Sequence, residues 1–174
     1  MYKKMDNIEK ILKSIYQNPT YMFHVRELAR ITKLNPNTII NITDKLKKQK
    51  IIIKGKHKSM VEIRANIEDI NFIRMKKIYN LGQIYKAGLV DFLIEYYDNP
   101  ESIILFGSYS RGEDIEKSDI DLVIITNKKE IPNFTLFETK LRRKLHILNF
   151  KREDISDELY RNLINGIVLH GYLR

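Results

Sequence analysis

Apolar residues near the start of the chain recur at helical spacing in three short stretches. Ile8, Ile11, Leu12 and Ile15 follow Asp6, a good helix cap, and Asn18-Pro19 closes that stretch. After an extended Tyr21-Met22-Phe23, Val25, Leu28 and Ala29 mark one face of a second helix. Thr32 to Asn35 form a gap, and Asn35-Pro36 is a cap followed by a first-turn proline. The third helix is expected to run to about Gln49, with Ile39, Ile42 and Leu46 inward and Asn37, Thr38, Asn41, Lys45 and Lys48 outward. Two β-prone runs, Ile51–Lys54 and Met60–Arg64, then flank a basic loop of residues 55–59, the pattern of a hairpin. From about Asn66 to Asp98 the periodicity is helical again, with Ile78, Leu81, Tyr85, Leu89, Phe92 and Tyr96 at spacings of three and four. Asn99-Pro100 opens a last part in which short apolar runs, Ser102–Phe106, Ile120–Ile125 and Leu145–Phe150, alternate with helical segments.

This order divides the chain into residues 1–65, a connector over residues 66–98, and residues 99–174, an α+β protein overall. Helix, turn, helix and basic-tipped hairpin are the order of a winged helix-turn-helix, whose third helix enters the DNA major groove. Asn37, Thr38 and Asn41 are then the base-reading candidates. Lys45, Lys48, Lys56, His57 and Lys58 are the candidates for contact with phosphate or the minor groove. Use of this domain for protein contacts alone is the alternative. The stripe of the connector fits either a linker helix packed on a neighbouring domain or the seam of a homodimer reading two half-sites.

Charge sharpens this division. Residues 1–65 hold 15 Lys and Arg against 5 Asp and Glu, whereas residues 66–174 hold 16 against 17, so the whole net charge of +9 resides in the first part. Segregation of this kind points to a polyanionic partner, with double-stranded DNA foremost, because each neutralised phosphate releases counterions. Cysteine is absent, which removes disulfides, thiolate metal sites and cysteine nucleophiles. No stretch approaches the roughly 20 apolar residues of a membrane span, and Met1–Asp6 lacks the apolar run of a secretory signal. The expectation is a cytoplasmic protein.

The candidate chemistry lies in residues 101–126. Asp119 and Asp121 bracket the first apolar residue of a strand, and side chains two apart on a strand share a face. Two carboxylates held side by side repel each other unless a cation neutralises them, and hard oxygen donors suit Mg²⁺ or Mn²⁺. Gly107-Ser108, at the end of the preceding strand, offers backbone amides and a hydroxyl to a phosphate with no side chain at Gly107 in the way. Arg111 is placed either to add a phosphate contact or as a plain surface residue.

Gly107-Ser108, ten intervening residues and Asp119-Ile120-Asp121-Leu122 resemble the signature of the nucleotidyltransferase superfamily that includes DNA polymerase beta. The run from Gly107 to Leu122 looks like the minimal nucleotidyltransferases in particular. The start of the chain, Phe72–Leu81 and Asn165–Gly171 look like archaeal proteins that join a DNA-binding domain to this module. The resemblance implies a nucleotidyltransferase fold with a mixed β-sheet flanked by helices. It implies that Ser108 holds triphosphate oxygens, and that Asp119 and Asp121 bind two metal ions that clamp an in-line displacement. A nucleoside monophosphate would pass from a nucleoside triphosphate to an acceptor. Some relatives of this kind are antitoxins that adenylylate a partner toxin of the HEPN type, which makes a protein acceptor concrete.

One position departs from that pattern. Active members carry a third carboxylate on a later strand, and the matching run here, Leu145-His146-Ile147-Leu148-Asn149-Phe150, has His146 in its place and Asn149 at a second acid. Imidazole ligates Mn²⁺ but is a poor ligand for Mg²⁺ and brings no negative charge. Glu153 and Asp154 follow and are expected to start the next helix. Three functional readings stand on these residues: a metal-dependent nucleotidyltransferase, a DNA-binding transcriptional regulator that senses a nucleotide without turning it over, and an RNA-binding or RNA-modifying protein.

Overall fold

The computed structural model describes residues 6–57 and 60–172, which form two compact units meeting in sequence at residues 76 and 77. Lys58 lies outside the described residues, as does the side chain of His57.

In the first unit, α1 (Asn7–Gln17) starts at a reciprocal cap between Asp6 and Glu9, and buries Ile11 and Ile15. A two-residue strand β1 (Phe23–His24) leads directly into α2 (Val25–Thr32), which ends at Lys33 in the left-handed conformation. Asn35 caps α3 (Pro36–Lys48) by accepting a hydrogen bond from the Asn37 amide at 2.8 Å. The inward stripe of α3 is Ile39, Thr43 and Leu46, not the expected Ile39, Ile42 and Leu46. Thr43 tolerates full burial because its hydroxyl donates to the carbonyl of Ile39 at 2.7 Å, so no polar atom is stranded.

Strands β2 (Ile52–His57) and β3 (Met60–Ala65) pair antiparallel, and β1 joins the outer side of β3. The pairing extends farther toward the tip than the sequence pattern indicates. Gly55 sits opposite Glu62 within the ladder, so Lys56 is a strand residue.

The expected single helical stretch is two helices, α4 (Ile70–Ala87) and α5 (Leu89–Tyr96). Gly82 stays inside α4, whereas Gly88 adopts φ +76 and breaks the run, a conformation that favours glycine. The apolar stripe is correspondingly divided. Leu89 is buried and Leu81, Phe92 and Tyr96 pack against the core of the second unit, while Ile78 and Tyr85 remain exposed.

The second unit is built on a mixed four-stranded sheet in the order β6-β5-β4-β7. Strands β4 (Ser102–Phe106) and β5 (Ile120–Ile125) are antiparallel neighbours, β5 and β6 (Leu145–Phe150) are parallel, and β7 (Ile167–Gly171) is antiparallel to β4. Alternation sorts the strand residues between two faces. Ile103, Leu105, Ile120, Leu122, Ile124 and Ile147 face a core completed by α5 and α7 (Thr135–Leu141). Ile104, Val123 and Ile125 face the smaller cluster completed by Leu163 of α8 (Asp157–Leu163). Glu153 and Asp154 belong to a single 3₁₀ turn, Arg152–Asp154, ahead of α8. Among the described residues no helix is long and apolar enough to cross a membrane.

A buried polar knot fixes the loop between the short helix α6 (Gly107–Arg111) and β5. Asp114, on that loop, accepts from the Asn80 amide at 2.6 Å and from the Arg143 guanidinium at 3.4 Å. Its side chain and that of Arg143 are 1% and 6% exposed. Asn80 also donates to the carbonyl of Tyr109 at 2.9 Å. One carboxylate therefore ties α4, the α6 loop and the turn before β6. Burial, with Asp114 adding to it, holds the Tyr109 hydroxyl well above the ordinary tyrosine range. Removing one partner of a buried pair leaves the other charge uncompensated. Asp114→Ala is expected to lower the unfolding free energy of the second unit by about 3–5 kcal/mol, read by urea denaturation, and a loss below about 1 kcal/mol would show that Arg143 is satisfied without it.

Candidate functional site

The residues singled out at the end of β4 and the start of β5 meet because these two strands are hydrogen-bonded neighbours. Phe106, the last residue of β4, is paired with Asp121, and β5 is paired on its other side with β6 so that Asp121 lies across from His146. Asp121 is thus flanked on one side by the Gly107-Ser108 turn and on the other by an imidazole. His146 Nδ1 and Asp121 Oδ1 are 3.1 Å apart. The His146 side chain is 56% exposed and that of Asp121 25%, so the pair opens to solvent.

Gly107 is at φ +71, and a Cβ built there would come within 2.3 Å of an Asp121 carboxylate oxygen. Two independent requirements thus call for glycine at 107, a left-handed backbone and the space that the carboxylate occupies. Chain direction reverses there into α6, whose first turn is held by the Ser110 hydroxyl donating to the Gly107 carbonyl at 2.8 Å. The Ser108 carbonyl accepts from the amide of Glu113 at 3.0 Å, and Ser108 itself is half-buried. Arg111 is exposed and pairs with Glu113 at 2.7 Å. Asp119 is exposed one residue ahead of β5, where the Ile120 amide is anchored by the Lys144 carbonyl at 2.9 Å.

His146 and Asn149 part company in the structure. They are three apart on β6, so they point to opposite faces. Asn149 donates to the Tyr97 hydroxyl at 3.0 Å and to the carbonyls of Lys128 and Glu130 at 3.2 and 3.4 Å, on the α5 side of the sheet. It braces the loop after β5 and is remote in register from Asp121. The Tyr97 hydroxyl titrates above its ordinary range because burial disfavours its charged form.

Glu138, on α7, is a participant that sequence reasoning missed. It accepts from the Leu145 amide at 3.1 Å and the Lys144 ammonium at 3.0 Å, which together hold its carboxyl below the usual carboxylate range. It thereby pins the start of β6 beside Asp121. Nothing in local sequence signals this, because the partners are six and seven residues away.

The donors fit a hard divalent ion of the kind bound by one or two carboxylates together with substrate phosphates and water. Among the described residues no three His, Asp or Glu side chains converge as a preformed protein cage. Asp119, exposed, and Asp121, partly exposed, leave room for a ligand to complete such a site.

On the exposed side of α3 in the first unit are Asn37, Asn41, Lys45 and Lys48, with Thr38 half-buried. Lys56 is exposed on β2, and Lys54 of the same strand pairs with Asp44 of α3 at 2.7 Å. That contact joins the helix to the hairpin and consumes the only acidic residue of α3.

Comparison with known proteins bears on the second unit. Residues 88–171 match the polymerase beta nucleotidyltransferase family. A protein of Methanocaldococcus jannaschii, provisionally named a protein adenylyltransferase, is 36% identical over 62 residues, which are 36% of this chain. The chain spans 62% of that relative's length. No solved structure matches the chain. Gly107 and the Asp119–Asp121 segment fall inside the matched domain. Gly107→Ala would drive a methyl group into the Asp121 carboxylate, and the expected outcome is at least a tenfold weaker Mn²⁺-dependent binding of a nucleoside triphosphate, about 1.4 kcal/mol, read by calorimetry.

Proposed function

We propose that residues 99–174 transfer a nucleoside monophosphate from a nucleoside triphosphate to a hydroxyl on a protein, and that residues 1–65 bind duplex DNA as a winged helix-turn-helix. The observation that carries the first half is the placement of the Asp121 carboxylate directly over Gly107, at the end of a strand pair inside the segment that matches the nucleotidyltransferase family. The name of the Methanocaldococcus relative favours a protein acceptor and AMP as the transferred group.

In this reading Gly107 and Ser108 receive the β- and γ-phosphates, and Arg111 leaves Glu113 to add a charge-assisted bond to them. Asp119 and Asp121 hold Mg²⁺ or Mn²⁺, which neutralises triphosphate charge and makes the α-phosphorus more electrophilic when bound. His146 orients the Asp121 carboxylate through its Nδ1 contact, leaving the other oxygen toward the turn. The acceptor oxygen bonds to the α-phosphorus as the bond to the β-phosphate oxygen breaks. Pyrophosphate leaves with that electron pair and the hydroxyl proton passes to water.

The presence of His146 where a carboxylate is expected favours a second reading, in which the domain binds nucleotide without turning it over and modulates DNA binding. A ligand can shift DNA affinity only by preferring one of two states of the protein. The two readings separate on transfer of label. Incubation with α-labelled ATP, Mn²⁺ and protein acceptors is expected to label the acceptor. Asp121→Asn and Asp119→Asn are each expected to lower that labelling by at least about a hundredfold. Absence of label from the unaltered chain under all conditions would leave the sensing reading.

For the DNA-binding half, the support is the confinement of excess positive charge to residues 1–65 and the exposure of Asn37, Asn41, Lys45, Lys48 and Lys56. Affinity for duplex DNA is expected to fall linearly on a log–log salt plot, with Lys45→Ala and Lys56→Ala each reducing the slope by about 1. Structured RNA that displaced the duplex at equal concentration would turn the assignment to RNA.

A further inference from the structure

The two oxygens of the Asp121 carboxylate meet different surroundings. Oδ2 is packed against Gly107, in the space of an absent side chain. Oδ1 faces the Nδ1 atom of His146 at 3.1 Å, across the parallel pairing of β5 and β6. The backbone beneath both residues is fixed at their sequence neighbours. The Ile120 amide donates to the Lys144 carbonyl, and the Leu145 amide to the Glu138 carboxylate. Carboxylate and imidazole are thus held facing each other by the sheet itself.

The ring makes no other hydrogen bond or ion pair among the described residues, and its side chain is exposed. Its other nitrogen is therefore left to solvent and can carry the proton of the neutral ring. The Nδ1 lone pair then points at Oδ1, and two donors so aimed repel unless a cation lies between them. Donors at right angles on an octahedral ion with bonds of about 2.1 Å stand about 3.0 Å apart. The observed 3.1 Å meets that spacing without movement of either strand. Nitrogen also changes which ion is favoured. Imidazole suits transition ions such as Mn²⁺, whereas Mg²⁺ keeps to oxygen and dehydrates reluctantly. Asp119 brings oxygen alone and does not discriminate between the two.

We propose that His146 is a cation ligand, its Nδ1 and Asp121 Oδ1 sharing one divalent ion, and that the site therefore takes Mn²⁺ in preference to Mg²⁺. The proposal rests on the reading of Asp119 and Asp121 as ion-holding residues, and adds to it a nitrogen donor and an ion preference.

The test uses the full chain, untagged and grown with ¹⁵N-labelled histidine, together with Mn²⁺ and a non-hydrolysable ATP analogue. Pulsed electron paramagnetic resonance of the bound Mn²⁺ is expected to show coupling to a ¹⁵N nucleus, which the unlabelled nitrogens of the nucleotide cannot produce. The coupling is expected to vanish in His146→Gln and to persist in His170→Gln, a histidine of β7. In competition with Mg²⁺, followed by the same resonance, His146→Asp is expected to reduce the preference for Mn²⁺ roughly tenfold. Bound Mn²⁺ that depends on Asp121 but shows no ¹⁵N coupling would overturn the proposal, His146 then being a hydrogen-bond partner of Asp121 alone. Coupling that survives His146→Gln would overturn it too, as would a preference for Mn²⁺ that His146→Asp leaves unchanged. Mn²⁺ binding that Asp119→Asn and Asp121→Asn do not weaken would sink the ion-holding reading and the proposal together. Coupling and preference as expected, without label transfer from ATP, uphold the proposal and sink only the transfer reading.

Discussion

The Asp121 carboxylate occupies the volume that a side chain at residue 107 would fill. Everything at the end of the sheet follows from that exclusion. The chain can bring this turn and an acid into direct contact only if the turn residue has no Cβ and can adopt positive φ, and Gly107 meets both conditions. The register Phe106 to Asp121 sets the contact, and that register is itself held by five paired positions between apolar strands. A one-residue slip would carry Asp121 to the α5 side of the sheet and bury an unpaired carboxylate among Leu105, Leu122 and Ile147. The apolar core and the polar site therefore specify the same alignment, each penalising the other's misplacement.

The same alternation distributes labour along β6. Leu145 and Ile147 point into the larger core, while His146 comes out beside Asp121. Asn149, three positions on, falls back on the core side and spends its amide on Tyr97 and the loop after β5. Glu138 and the Asp114 knot do for the ends of the strands what register does for their middles. Glu138 fixes where β6 begins, and Asp114 stops the loop before β5 from moving relative to α4 and the turn at Arg143. Both use carboxylates from outside the signature segment, so the open face of the site keeps its acids for a ligand.

Most of the strands and helices were legible in the sequence because their signals are local. Asp6 and Asn35 announce helix starts, Ser102–Phe106 and Ile120–Ile125 read as strands from their apolar runs, and Leu145–Phe150 reads as one through the resemblance to the family's later strand. What could not be read was the long-range part. Ile42 rather than Thr43 fits the α3 stripe in sequence, because the capacity of Thr43 to bond back to Ile39 depends on helix geometry. The break at Gly88 and the continuity through Gly82 look alike in sequence, and of the two only Gly88 takes positive φ. The Gly107-Ser108 turn and Asp121 stand out in the sequence through the glycine at a strand end, the two acids two positions apart and the resemblance of the run to a known signature. Glu138 and Asp114 were not, since a glutamate on a helix and an aspartate in a loop are ordinary until tertiary contacts are known.

His146 is the residue on which the chemistry of the domain turns. It lies opposite Asp121 across the β5–β6 ladder, and in the function proposed a carboxylate there would give the bound cations a third negative charge. A neutral imidazole lowers the field at that point and offers nitrogen in place of oxygen, which disfavours Mg²⁺ more than Mn²⁺. In the function proposed, the arrangement would make its strongest provision for the triphosphate, through Gly107, Ser108, Asp119 and Asp121, and a weaker one for an ion at the acceptor. A site of this kind gains most from an acceptor held by its own contacts, because proximity then replaces part of the activation that a third acid would supply.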